Sequence, residues 1–146
     1  MHIKTSKNLT FFTPKTSDET GVVFIDTGIS AGFPSPADDF RETRISLDEE
    51  LITNKEATFF AKVRGQSMIG AGLDDNDLLI IDRSIEPVNN KIAVCFLDGE
   101  FTVKRLRIEN NEVWLQPENP DYPTIKITEE NDFIIWGIVT SVVKKL

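Results

Sequence analysis

From residue 57 onward, the chain alternates between short apolar runs and turn signals. The runs are rich in the β-branched and aromatic residues typical of strands, and Gly, Asn, Asp and Pro separate them. Asp98-Gly99 between two runs is a strong hairpin signal, and Asn110-Asn111 marks the next turn. We predict a mainly β body with strands at residues 57–64, 78–82, 91–97, 100–108, 112–116, 123–127 and 133–143.

The N-terminal part of the chain has a different pattern. Threonine, serine and proline are scattered through it without a sustained helical period. Its apolar patches, residues 9–12 and 22–25, are each long enough for a short strand or a docking contact. We interpret residues 1–40 as a flexible, extended arm and residues 41–146 as a compact β-rich domain.

One short helix is expected before the strands begin. Ser46 stands three residues before Glu49, which is the spacing of a capping box. We therefore predict a helix at about residues 46–52.

Charge and cysteine content argue against several classes of protein. The net charge of -8 argues against an unaided nucleic-acid binder, so we expect no direct sequence-specific nucleic-acid binding. The single cysteine, Cys95, excludes an internal disulfide and a cysteine-based zinc cluster, and we expect it to be a buried free thiol. The acidic turn at residues 74–77 lacks the glycine and glutamate of an EF-hand loop, and no cofactor motif is present, so we expect neither metal nor cofactor.

Hydropathy gives no sign of a membrane protein. No apolar run approaches the ~20 residues that span a bilayer. The N-terminus also lacks the apolar core of a signal peptide. We expect a cytoplasmic protein without a membrane anchor.

The most informative stretch is residues 63–72, where Ser67 lies between flexible residues. Gly65 lets the backbone turn just before the serine, directly after an apolar run. A serine on such a turn can act as a nucleophile if a base removes its proton. The only histidine is His2, at the chain end, so a Ser-His-Asp arrangement has no plausible base.

A lysine is the remaining base candidate, and we favour Lys104. An apolar setting disfavours its charged form, and only a neutral amine can accept the serine proton. Spacing alone leaves other basic residues open: Lys62, Arg64, Lys91, Arg105 and Arg107. The apolar setting is expected from Phe101, Val103 and Leu106, with Val94 and Phe96 on the partner strand. Backbone N–H groups of the serine turn, those of Ser67 and Gln66, are the candidates for holding the oxyanion.

A protease substrate segment is present in the arm. Small residues leave the peptide bond between Ala31 and Gly32 with little steric cover, and the prolines behind it favour an extended chain. An extended segment can be threaded through a protease groove as a strand. A simple hinge remains open as the alternative.

Four motifs, in this order along residues 30–144, resemble the LexA/UmuD family of self-cleaving Ser-Lys peptidases of the S24 class. Residues 31–37 are similar to the C-G-F-P-S-P-A cleavage region of the UmuD branch, with Ala31 in place of cysteine. Residues 65–68 resemble the nucleophile motif G-x-S-M. Residues 77–82 resemble the segment between nucleophile and base, with Asn76 where glycine is usual. Residues 98–106 resemble the base strand D-G-E-x-T-V-K-x-L.

The resemblance implies a LexA/signal-peptidase-like β body and a serine endopeptidase with Ser67 as nucleophile and Lys104 as base. It implies a homodimer that cuts its own arm between Ala31 and Gly32 when stimulated by a RecA–single-stranded-DNA filament. It further implies a role in the SOS response, in which the trimmed dimer joins a UmuC-like subunit of an error-prone translesion DNA polymerase. These partners follow from the resemblance alone.

Three other functions were weighed. A non-catalytic homodimeric adaptor that keeps the family fold is the main alternative. A signal-peptidase-like enzyme shares the dyad, but that group is membrane-anchored. A DNA-binding repressor is disfavoured by the charge and by the absence of a two-helix pattern before the cleavage segment.

Overall fold

The structure is a computed structural model that describes residues 4–5, 9–14, 22–25 and 42–146. It confirms the mainly β fold. The strands are β1 Lys4–Thr5, β2 Leu9–Phe12, β3 Val22–Ile25, β4 Glu42–Ile45, β5 Thr58–Val63, β6 Leu78–Asp82, β7 Ile92–Leu97, β8 Glu100–Glu109, β9 Glu112–Gln116, β10 Ile125–Lys126 and β11 Phe133–Val143. All seven strands predicted from residue 57 onward are present, within two residues of the expected bounds.

Two units divide the chain, and each has its own sheet. One unit comprises residues 1–14 and 54–146, and the other comprises residues 15–53. The first holds a nine-stranded antiparallel sheet in the order β1-β2-β5-β6-β11-β7-β8-β9-β10. The division predicted at residue 40 stays a prediction.

The smaller unit contains an antiparallel pair, β3 with β4, followed by helix α1 at Leu47–Leu51. Ser46 caps this helix, since its side-chain oxygen accepts the Glu49 N–H at 3.4 Å. The predicted short helix and its serine N-cap are thus confirmed, and this bond is one of the two that make up a capping box.

Two tight hairpins bring β7, β8 and β9 into register. Asp98 and Gly99 have φ of 48° and 91° at the first turn, and Asn110 and Asn111 have 50° and 64° at the second. Paired positive φ values suit the right-handed twist of adjoining strands, which explains the choice of Asp-Gly and Asn-Asn. Both predicted turns are confirmed, and the first places Lys104 in the middle of β8.

The sheet separates two apolar clusters, because successive strand residues face opposite sides. On β7, Val94 belongs to one cluster, whereas Ala93 and Cys95 belong to the other. Cys95 is a fully buried free thiol, as expected.

The apolar patch at residues 9–12 forms strand β2, which pairs with β5 at the side of the sheet. Leu9 and Phe11 are buried there, and the Phe11 ring lies 4.8 Å from the rings of both Phe101 and Trp136. The prediction of a short strand or docking contact is therefore confirmed for this patch.

Within the part of the chain that the structure describes, no helix is long and apolar enough to cross a membrane.

Candidate active site

The nucleophile turn leaves the sheet at the end of β5. Val63 is the last paired residue, with its N–H donated to the Asp77 carbonyl at 2.9 Å. Gly65 follows with φ of +105°, a conformation that L side chains rarely adopt, and its N–H donates to Asp75 Oδ1 at 3.1 Å. Ser67 is half-buried two residues later, just before a 3₁₀ helix at Ile69–Ala71. The turn predicted around the serine is confirmed.

Lys104 reaches this serine from the middle of β8. Its Nζ lies 3.2 Å from Ser67 Oγ, 2.5 Å from Thr102 Oγ1 and 3.2 Å from the Val103 carbonyl oxygen. A neutral amine has two hydrogens to donate and one lone pair to accept with. Donation to Thr102 and Val103 would leave the lone pair facing the serine hydroxyl, which is the geometry that a general base needs.

Burial changes the pKa of Lys104. The side chain is only 7% exposed, and desolvation lowers the pKa of Lys104 because it penalises the charged form. A thiolate at Cys95 would oppose this, but burial raises the pKa of the Cys95 thiol to about 12, so the thiol is neutral at physiological pH. The surroundings of Lys104 therefore shift its protonation equilibrium toward the neutral amine.

The apolar setting of Lys104 differs in part from the expected one. The register places Ala93 directly opposite Lys104 and Cys95 opposite Thr102, and both pack in one cluster with Leu106. The other four residues expected around it, Phe101, Val103, Val94 and Phe96, alternate to the opposite face of the sheet. Strand alternation places them with the other apolar cluster. Val103 nevertheless contributes to the expected apolar setting, because it lines the same pocket as Lys104.

The other basic candidates do not meet the serine. Lys62, Arg64 and Lys91 are exposed. Arg105 forms an ion pair with Glu118, and Arg107 donates to Asn90 Oδ1 at 2.9 Å. Lys104 is thus the basic residue that the structure brings to Ser67.

A small pocket opens beside the pair, with a volume of about 130 Å³. Its lining is mixed, with apolar side chains such as Leu9 and Leu73 on one hand and polar ones on the other. The polar lining residues are Arg64, Gln66, Ser67, Thr102, Lys104 and Tyr122. A cavity of roughly 150 Å³ holds a benzene molecule, so this pocket can accept one side chain rather than a whole peptide.

The predicted oxyanion donors lie on the nucleophile turn. Among the described residues, the N–H groups of Gln66 and Ser67 donate no hydrogen bond. Their role as oxyanion donors stays a prediction. The predicted cleavage site, Ala31 and Gly32, lies outside the described residues.

Sequence reasoning missed three residues at the site. Thr102 stands two residues before Lys104 on the same strand, and residues two apart on a strand face the same side of the sheet. The strand prediction therefore contained enough information to place Thr102 beside Lys104. Glu118 and Asn119 approach the nucleophile turn from more than fifty residues away along the chain. Asn119-Pro120 signals a turn, but nothing local shows what that turn contacts.

A serine beside a buried lysine, on a mainly β body, is an arrangement suited to a serine peptidase with a lysine base. Comparison with known proteins places the chain in this class, since residues 23–140 match the family described as Peptidase S24-like. The chain belongs to this family, the S24 peptidases of the LexA/UmuD group, and is by family a serine peptidase. The resemblance seen in the motifs is confirmed.

Individual relatives are similar in sequence, and two of them are similar in length as well. Protein MucA of Escherichia coli is 40% identical over 113 residues, 77% of each chain. Protein SamA of Salmonella typhimurium is 41% identical over 115 residues, 79% of each chain. The LexA repressor of Bordetella parapertussis is 37% identical over 116 residues, covering 80% of this chain and 53% of the repressor.

Proposed function

We propose that this protein is a self-cleaving serine peptidase of the SOS response that cuts its own chain between Ala31 and Gly32. The observation that carries the proposal is the 3.2 Å approach of the buried Lys104 Nζ to Ser67 Oγ. The pocket beside the pair supports it, because Ser67 and Lys104 both line a cavity that a substrate side chain can enter. Membership of the S24 family and the similarity to MucA and SamA support the same activity.

In the proposed reaction, neutral Lys104 takes the proton from Ser67 Oγ as the oxygen attacks the Ala31 carbonyl carbon. The N–H groups of Ser67 and Gln66 hold the resulting oxyanion. The tetrahedral centre collapses, the bond to the Gly32 nitrogen breaks, and the Lys104 ammonium protonates that nitrogen. A water then gives a proton to Lys104 as it attacks the acyl-enzyme. The Lys104 ammonium returns that proton to Ser67 Oγ as the bond to the Ala31 carbonyl carbon breaks, which releases the Ala31 carboxyl group.

Regulation would act on the position of the arm. A cleavable bond that spends most of its time away from Ser67 gives a low resting rate. A RecA–single-stranded-DNA filament that favours the docked arm would raise the rate by shifting this population. The filament enters the proposal through the family resemblance.

We further propose a cytoplasmic homodimer whose trimmed form is the accessory subunit of a UmuC-like error-prone translesion polymerase. The support for these partners is the resemblance of the motifs to the UmuD branch and the 40% and 41% identity to MucA and SamA.

The proposal is tested by incubating the purified chain with RecA, single-stranded DNA and a nucleotide that keeps the filament assembled. The wild type should yield a fragment beginning at Gly32, identified by N-terminal sequencing, whereas Ser67→Ala and Lys104→Ala should stay whole. Equal cleavage of wild type and both variants would reject the dyad. A wild type that stays whole would favour the non-catalytic adaptor.

A further inference from the structure

A turn at residues 118–121 is hydrogen-bonded to the nucleophile turn at three points. The Glu118 N–H donates to the Ser67 carbonyl oxygen at 2.9 Å, and the Glu118 carbonyl oxygen accepts the Gly70 N–H at 2.7 Å. The third contact uses a side chain, since Asn119 Nδ2 donates to the Gln66 carbonyl oxygen at 2.8 Å. The turn at residues 118–121 therefore holds Ser67 itself, the residue before it and Gly70 three residues after it.

The orientation of the Asn119 amide is determined by its own turn. Asn119 Oδ1 accepts the Asp121 N–H at 3.0 Å, and the Asn119 carbonyl oxygen accepts the Tyr122 N–H at 3.1 Å. Because the oxygen of the amide is engaged with a donor, its nitrogen is the end that faces Gln66. Asn119 is thus built to donate to that one carbonyl group.

The contact with Gln66 fixes more than a carbonyl group. The Gln66 C=O and the Ser67 N–H belong to one planar peptide unit, and the described residues contain no cis peptide bond. In a trans unit these two groups point in opposite directions. Holding the carbonyl against Asn119 therefore directs the Ser67 N–H away from the 118–121 turn, which leaves it available as an oxyanion donor.

The turn is itself anchored to the strand that carries the base. Glu118 Oε1 accepts from Arg105 Nε, and Arg105 Nη1 donates to the Asn90 carbonyl oxygen at 2.6 Å. Arg105 is the residue next to Lys104 on β8. The two halves of the site are thus connected through Glu118 and Asn119 as well as through the sheet.

We propose that Asn119 is a positioning residue that orients the Gln66–Ser67 peptide so that the Ser67 N–H can stabilise the oxyanion. This inference rests on the proposed function. Asn119 acts on the oxyanion donor and not on the lysine, so its loss should lower the rate without moving the pH at which Lys104 becomes active. Deleting an oxyanion donor outright costs roughly 10²–10³-fold in rate. Misdirecting one should cost about 10- to 100-fold.

The experiment measures self-cleavage rate against pH for wild type, Ser67→Ala and Asn119→Ser in the full chain. Asn119→Ser keeps an oxygen for the local turn but removes the amide donor. Asn131→Ser is the matched control, because Asn131 also accepts a backbone N–H, from Thr128, and donates its amide to a different partner, Asp98. We expect the plateau rate of Asn119→Ser to be 10- to 100-fold lower than that of the wild type, and the midpoint of its pH–rate curve to be unchanged. Asn131→Ser should have the plateau rate of the wild type.

A second variant and a measurement of melting temperature distinguish a rate loss caused by unfolding from one caused by lost positioning. Asn119→Asp retains the turn acceptor, removes the donor, and should lose at least as much rate when measured well below its melting temperature. The inference is overturned by a plateau within threefold of wild type in both Asn119 variants, by a shifted midpoint pH in the uncharged variant Asn119→Ser, or by an equal loss in Asn131→Ser. A wild type that does not cut, or a Ser67→Ala variant that does, overturns the proposed function instead, and this inference with it.

Discussion

Replacing Gly70 with alanine tests how closely the nucleophile turn depends on its neighbour. A Cβ at this position would lie 2.4 Å from the Glu118 carbonyl oxygen, whereas ordinary van der Waals contact begins at 3.4 Å. The same oxygen accepts the Gly70 N–H at 2.7 Å. The obstacle is backbone, so the two turns must separate by up to about 1 Å to admit the methyl group.

Two costs follow from that separation. A lost hydrogen bond is worth about 1 kcal/mol, and forcing atoms into a packed contact costs roughly 1–3 kcal/mol. The sum of about 2–4 kcal/mol corresponds to a melting temperature lower by roughly 5–15 °C in a chain of this size. Because Ser67 lies between Gln66 and Gly70, a displacement of ~1 Å can also cost about 100-fold in rate.

The matched control is Gly72→Ala. Gly72 has φ of +80°, so alanine there is strained by about 1 kcal/mol, but its Cβ would meet no atom within 4 Å. Thermal unfolding and self-cleavage of both variants, measured side by side, separate strain from displacement. Both should be less stable than wild type, and only Gly70→Ala should lose most of its cleavage rate. A Gly70→Ala variant that cuts as fast as Gly72→Ala would refute the reasoning.

Three further predictions concern the lysine and the N-terminal strand. In a Ser67→Ala background, Lys104→Met should have a higher free energy of unfolding than its parent at neutral pH, measured by urea unfolding. The difference between the two should narrow toward pH ~10. The reason is that the lowered lysine pKa makes the folded parent bind fewer protons than the unfolded parent between the two pKa values, so the parent gains stability as the pH rises. A gap that widens with pH would contradict the direction of the shift. Thr102→Val should slow cleavage about tenfold, because Lys104 Nζ loses one of the partners that orient it, and should lower the free energy of unfolding by roughly 1–3 kcal/mol. A cleavage rate equal to that of the wild type would show that Thr102 has no positioning role. Phe11→Ala should lower the free energy of unfolding by about 3 kcal/mol through lost contacts with Phe101 and Trp136, whereas a neutral effect in urea titration would show that β2 contributes little to the folded body.

Local signals explain why so much of the β body could be predicted. Asp98-Gly99 and Asn110-Asn111 are sequences that adopt paired positive φ, so they fix the hairpins that bring β7, β8 and β9 together. The apolar runs between turns then give the strand positions. The serine and lysine were found because each stands in a recognisable motif, and the motif order matched one family.

Contacts between distant parts of the chain could not be read in this way. Asp77 stands in an acidic turn along the sequence, yet it is only 5% exposed and forms an ion pair with Lys144, sixty-seven residues later. Burial alone would raise the pKa of Asp77, but the hydrogen bonds from Lys144 and from the Asp74 N–H lower it. The contact of Asn119 with Gln66 could not be predicted for the same reason. The topology of the sheet, and not the residues next to either turn, brings the two turns together.

The central claim is that a buried lysine deprotonates Ser67 to cut the chain at one bond. Intact-mass spectrometry of the purified protein at mildly alkaline pH, without any activator, tests it most directly, because raising the pH neutralises Lys104. The account predicts a pair of products, residues 1–31 and the 115-residue chain 32–146, from the wild type and none from Ser67→Ala or Lys104→Ala. A wild type that stays whole at alkaline pH and with the filament, or variants that cut equally well, would contradict it.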